Sequence, residues 1–225
     1  MDSPPPVVVA RGEAVREVPP EIAVVHVRTA AKGRDRESVL ERLTERSAAI
    51  AATLDGFAAA IERRETTGLH VHPQTKRRGE EVAAYHGSIG TQVLVTDFTV
   101  LGDLMLRLAA EELTTVDGPW WQLRPGSRAG AEARRAAITD ALSRAAEYAS
   151  AVGAEIAELV EINDGPGGFD EGYTPMAFAA GGARARGAES GPALDLEPEA
   201  QTVRAQVRVT VTISRPTLPG RPTST

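Results

Sequence analysis

The residues with the widest chemical range sit in one short stretch, Gly68-Leu69-His70-Val71-His72-Pro73. Side chains alternate along a strand, so His70 and His72 share one face while Leu69 and Val71 share the other. Imidazole is a common zinc ligand, and a catalytic zinc holds three protein ligands while keeping one position open. The remaining histidines are His26 and His86, and all four fall where strands are predicted. If the strand carrying His86 lies beside the one carrying His70 and His72, three imidazoles approach one place, with Glu80 or Glu81 near the end of the hairpin. That is the metal-dependent hydrolase reading. Against it, no HExxH helix or other local metal signature supports the histidines. Leu69 and Val71 also make the better core face. The plainer expectation is a strand's polar face, with no catalytic residue and no cofactor, and with His70, His72 and His86 as the metal candidates to test.

Other chemistries find less support. There is no cysteine, which excludes disulfides, thiolate zinc sites and cysteine nucleophiles. Ser127 lies in "RPGSRAG", which lacks the G-x-S-x-G elbow of a serine hydrolase and reads as a helix N-cap. The glycine-rich "NDGPGGFDEGY" lacks the Gly-Lys-Ser/Thr ending of a phosphate loop. Asp164, Asp170 and Glu171 match no EF-hand spacing, so a solvated acidic loop is expected. Trp120 and Trp121 are the only tryptophans, and on a strand they face opposite sides. Either both are buried, or one packs in the core and the other marks an interface, where exposed tryptophan is favoured.

The formal charge of −6 argues against a general nucleic-acid binder, which needs a net basic surface. Lys76-Arg77-Arg78 is followed at once by Glu80 and Glu81 and reads as a solvated turn. The N-terminal stretch has no basic region followed by an apolar run of signal-peptide length. No segment approaches the ~20 apolar residues of a membrane helix. A cytoplasmic product with no membrane insertion is the expectation from the chain as written.

The elements that must position these residues follow from periodicity. With 42% hydrophobic and 25% charged residues, the chain can bury a core, so its patterns are read as packed elements. Residues 7–18 favour strand, and Pro19-Pro20 breaks it. Residues 21–30 place Ile22, Val24 and His26 on one face and Ala23, Val25 and Val27 on the other, as expected of a central strand. A long helix is predicted over 35–63, capped by Asp35, with Val39, Leu43, Ile50, Leu54, Phe57 and Ile61 at helical spacing. Strands at 66–75 and 82–97 form a hairpin across the charged turn 76–81, and Tyr85, Ile89, Val93 and Val95 share a face. A helix at 98–112 and a strand at 115–124 follow. Ser127 opens a third helix striped by Ile138, Leu142, Ala145, Ala149 and Val152, with Gly153 as its stop. A strand is predicted at 155–164. Residues 165–198 form a flexible Gly/Ala/Pro-rich insert. The closing strand, 202–213, lines up Val203, Ala205, Val207, Val209 and Val211.

The predicted class is α+β, an antiparallel sheet with helices packed on one face. Residues 21–124 form a split β-α-β-β-α-β unit, and the flanking strands and third helix extend that layer. A single domain over 7–214 is expected, between Pro-rich tails at 1–6 and 215–225. Strands 7–18 and 202–213 are the expected open edges, which invite self-association.

In order and spacing the chain resembles the SIMPL-domain family from about Val7 to Ile213. The resemblance rests on "VVVARGEAVREVPPEIAVVHV", "LHVHP", "YHGSIGTQVLVTDF", "AEARRAAITDALSRAAEYASAVGAEI" and "TVRAQVRVTVTI". It departs from the family at Gly12-Glu13-Ala14, where a Gly-Glu-Gly is usual, at Glu21, where an Asp is usual, and in lacking the usual signal peptide or lipid anchor. The resemblance implies a bacterial protein without established catalytic residues, a tendency toward ring-like or channel-like homo-oligomers, and links to stress tolerance. The expected role is a non-enzymatic domain that acts by assembly or by binding a protein partner.

Overall fold

The computed structural model describes residues 4–75, 82–164 and 194–217. The expected hairpin turn at 76–81, most of the 165–198 insert, and Asp170 and Glu171 within it lie outside the described residues. In chain order the strands are β1 (Val7–Val18), β2 (Ile22–Gly33), β3 (Ile61–Thr75), β4 (Val82–Val95), β5 (Thr114–Gln122), β6 (Ile156–Asn163) and β7 (Gln201–Ile213). The helices are α1 (Arg36–Asp55), α2 (Leu101–Ala110) and α3 (Arg128–Ala151). Two antiparallel sheets result, β3-β4-β2-β5 and β1-β7-β6, and the class is α+β. The backbone groups into two compact units, one for each sheet.

The first unit runs over residues 19–124, joined by the described part of 183–200. It is the split β-α-β-β-α-β unit, with β2 and β4 at the centre of the sheet. Apolar residues on both faces of β2 suit that place. Ala23, Val25 and Val27 join Val93 and Val95 of β4 beneath Ile50 and Leu54 of α1 and Leu101, Leu104 and Leu108 of α2. Full burial of each such large aliphatic side chain stabilises by about 1.5–3 kcal/mol. The helix α1 starts where Asp35 accepts a hydrogen bond from the Ser38 amide at 2.8 Å. It ends at Gly56, earlier than the expected 63, because a succession of tight turns follows. Phe57 and Ile61 still pack on the core, so their spacing was a core signal on residues that are not helical. Glycines let α1 lie low on the sheet: a Cβ at Gly87 would come 2.8 Å from Leu43 Cδ1.

The flanking strands do not extend that layer. They form the second unit, in which β7 is the central strand and pairs with β1 along twelve residues without a bulge. Ala205, Val207, Val209 and Val211 are buried as their alternation predicts. The covering helix α3 is capped by Ser127, whose hydroxyl accepts from the Ala129 amide at 3.3 Å. It stops before Gly153, which takes a φ of +68° that suits glycine. Its buried stripe is Ala129, Ala133, Ala137, Ala141, Ala145 and Ala149, a row at i, i+4. The expected Ile138, Leu142 and Val152 are only partly buried beside it. Small side chains bring the helix backbone onto the sheet. At Gly12 a Cβ would overlap the Ala137 carbonyl oxygen and lie 2.8 Å from Ala141 Cα.

Candidate functional site

The histidines come from neighbouring strands of the four-stranded sheet. In the β3–β4 register His72 lies opposite His86 and His70 opposite Ser88. Val71, on the other face, packs toward Val39 and Leu43 of α1, so alternation aims His70 and His72 at the face without helices. The rings of His72 and His86 stack at 5.9 Å and 17°. His86 Nε2 hydrogen-bonds Gln74 Oε1 at 2.8 Å. The His70 ring turns the other way along the strand, with its Nε2 3.2 Å from where a Gly68 Cβ would be. His26 sits opposite Gln92 and Asp117, six residues along β2 from the position facing His86, which is roughly 20 Å of strand.

The fold therefore joins two of the three metal candidates and turns the third away. Among the described residues no group of three or more His, Cys, Asp or Glu side chains is placed to hold a metal ion. Glu80 and Glu81 lie outside the described residues. Asp164 follows the end of β6 and is exposed.

The tryptophans fall on opposite faces of β5. Trp121 is buried, stands edge-on to Phe98 at 4.9 Å and belongs to the core beneath the helices. Trp120 is half-buried beside Ile22, Val24 and Leu94, with its ring edge-on to His26 at 4.8 Å.

Polar groups elsewhere in this unit are tied into the framework. An open hollow of about 390 Å³ is lined by Arg42, Glu45, Arg46, Glu111, Glu112 and Thr114, among others. Its arginines are engaged: Arg42 donates to the Lys32 carbonyl, and Arg46 donates to the Ala30 carbonyl at 2.8 Å and pairs with Glu112. Arg124 donates through Nε and Nη2 to Glu62, which holds the Glu62 carboxyl below the usual carboxylate range. The Arg124 amide also donates to Glu21 at 3.0 Å.

The three-stranded sheet presents a different surface. Neither outer strand, β1 or β6, has a further strand hydrogen-bonded to it among the described residues. Val7, Val9 and Val15 of β1 are 53%, 55% and 60% exposed, and Leu159, Val160 and Ile162 of β6 are 52%, 58% and 47% exposed. Of the two edges expected from sequence, β1 is one. The strand at 202–213 is instead the centre, because β6 pairs with its other side. The sequence does carry a trace of β6 as an edge. In "IAELVEIN" neither alternating set is wholly apolar, and Leu159 and Val160 stand side by side. A bulge between Leu159 and Glu161 accommodates them.

Behind β1, the Glu13 amide donates to Asp140 of α3 at 3.0 Å, and Arg16 pairs with Glu132 at 2.7 Å. The backbone donor from Glu13, with Arg144 in second place, holds the Asp140 carboxyl below its ordinary value.

Among the described residues no helix is long and apolar enough to cross a membrane. No curated protein matches the chain. The family model SIMPL, described as a protein of unknown function (DUF541), matches residues 8–211, a span that opens in β1 and closes in β7. With both sheets and all three helices inside that match, the chain belongs to the SIMPL family.

Proposed function

We propose that this protein is a non-enzymatic assembly domain, which associates with itself and with a protein partner through its sheet surfaces. The observation that carries the reading is the three-stranded sheet, whose two outer strands both leave aliphatic side chains more than two-fifths exposed. Unpaired N–H and C=O groups along such strands are a template for another chain, and the apolar side chains add a hydrophobic driving force. Half-buried Trp120 is the candidate for a partner contact on the other sheet. Among the described residues no third ligand joins the two imidazoles that meet at His72 and His86, which weighs against the hydrolase reading.

The test is the native mass of the purified chain by light scattering at micromolar concentration, together with its metal content. A mass above 23.8 kDa without stoichiometric metal is the expected result. A monomer carrying one zinc per chain would replace this reading with the hydrolase one.

A further inference from the structure

In the four-stranded sheet, part of the outer strand β3 is held by little apolar packing. From Gly68 to Gln74 it is bracketed by register shifts at Thr66/Gly68 and Gln74/Thr75, and Pro73 has no amide hydrogen to give to the ladder. Its side chains are exposed apart from half-buried Gly68 and Val71. The helix α1 lies over β2 and β4 far more than over β3. Segments of this kind open locally at a small cost in free energy, so a modest charge effect is enough to shift them.

Histidine supplies that charge. All four histidines of the chain fall on the sheet face without helices. Val25 and Val27 beside His26 belong to the core, and Gly87 beside His86 faces Val39 and Leu43 of α1. His72 lies opposite His86, and His86 lies opposite Lys32 of β2, so one row across three strands reads His72, His86, Lys32. The other charges that face this row are cationic too: His70 in the next row, and Arg28 opposite Gly90. The carboxylates of this face stand elsewhere. Asp117 and Glu65 share the row of His26, Glu65 is paired with Arg63 at 3.3 Å, and Glu62 is held by Arg124. Among the described strand residues no carboxylate stands in the row of His72 and His86 or in the rows beside it.

The oxygen Oε1 of Gln74 only accepts, so Nε2 of His86 carries a hydrogen, and Nδ1 is the atom that takes up a second proton. Imidazole gains its charge between about pH 8 and about pH 5. Once both rings are charged, the stacked pair sets like charges directly opposite each other, which is destabilising in a sheet. Lys32 adds a third. Parting the strands relieves this repulsion, so acid favours the open segment. We propose that residues Gly68 to Gln74 of β3 form an acid-operated switch, closed on β4 at neutral pH and opening locally when His72 and His86 are both protonated. Opening frees the backbone groups of β4 that β3 engages. Acid therefore exposes an inner strand, Ala84 to Gly90, that carries no proline to guard it.

The test is amide hydrogen exchange of the full chain at about pH 7.5 and about pH 5.5, on either side of imidazole protonation. Protection is expressed against the rate of unstructured peptide at each pH. In the wild-type protein, protection of residues 69–72 and 84–90 should fall by about three- to ten-fold in acid, the size expected of like-charge pairs across strands. The pairing of β1 with β7 should keep its protection. His72→Gln with His86→Gln should show no fall. His72→Glu sets a carboxylate against His86 and should reverse the change. His26→Gln, on the same face but away from the row, should keep the wild-type fall. Constant protection in the wild-type protein, an equal fall in the double Gln variant, or a fall spread evenly over all strands would overturn the switch. So would a wild-type fall in His72→Glu, whether or not the double Gln variant folds.

Discussion

Single side chains, or their absence, set the tightest constraints. Gly12 is required by contact: the α3 backbone occupies the space a Cβ would need. Gly12→Ala must push the helix off the sheet, and overpacking of this kind costs about 1–3 kcal/mol. Denaturant unfolding of G12A should show a loss of that size, and a stability equal to wild type would mean that α3 yields without cost. For the histidines, changing His70 and His72 together to Gln should leave fold and native mass unchanged at neutral pH, since neither helps to fill the core. Stoichiometric zinc in the wild-type protein, lost in the double variant, would reverse this. Asp140 bears on acid stability. Its carboxyl is lowered chiefly by the Glu13 amide, so the folded state holds that proton less tightly than the unfolded one. The contribution is fully present above the ordinary carboxylate value of 3.8 and is lost as pH falls through the lowered one. Asp140→Asn removes the titration, so its stability should drop less than that of wild type between about pH 6 and about pH 3. Equal drops would show that Asp140 contributes nothing to the acid limb.

At the scale of elements, α3 departs furthest from expectation. The larger Ile138, Leu142 and Val152 draw attention in the sequence, yet the buried row is alanine at every fourth position. Periodicity reports which residues are apolar, whereas depth depends on how near the sheet stands. Here Gly12 and the alanines together permit close approach. Ala137→Leu should therefore destabilise by about 1–3 kcal/mol although leucine is also a good helix former. An increase in melting temperature would show that the row is not closely packed. The end of α1 teaches the same lesson from the other side. Phe57 and Ile61 keep helical spacing but follow Gly56, and they reach the core from turns and from the start of β3. By contrast the caps Asp35 and Ser127, the stop at Gly153 and the alternation of β7 were legible locally, because each acts through neighbours a few residues away.

For the molecule as a whole, the prediction is a native mass above the 23.8 kDa of one chain, measured by light scattering at micromolar concentration. It should fall on dilution, since association through an edge obeys mass action. A mass of one chain at every concentration would remove self-association from the account.

Element order and type, the α+β class, the family and most strand boundaries were determined by the sequence alone. Alternation, capping and turn residues are local, and this chain spells them plainly. What only the tertiary structure decided was partnership. Strand pairing is a choice among distant segments, and a strand with apolar residues on one face suits a central or an outer position equally well. Thus β1, β6 and β7 form a sheet of their own rather than extending the other, β7 becomes its centre, and the open edge passes to β6. The same holds for the histidines. Alternation placed His70 and His72 on one face, but only the register set His72 against His86, and only the side-chain rotation carried His70 away over Gly68. Face is a property of a strand, while proximity is a property of the fold.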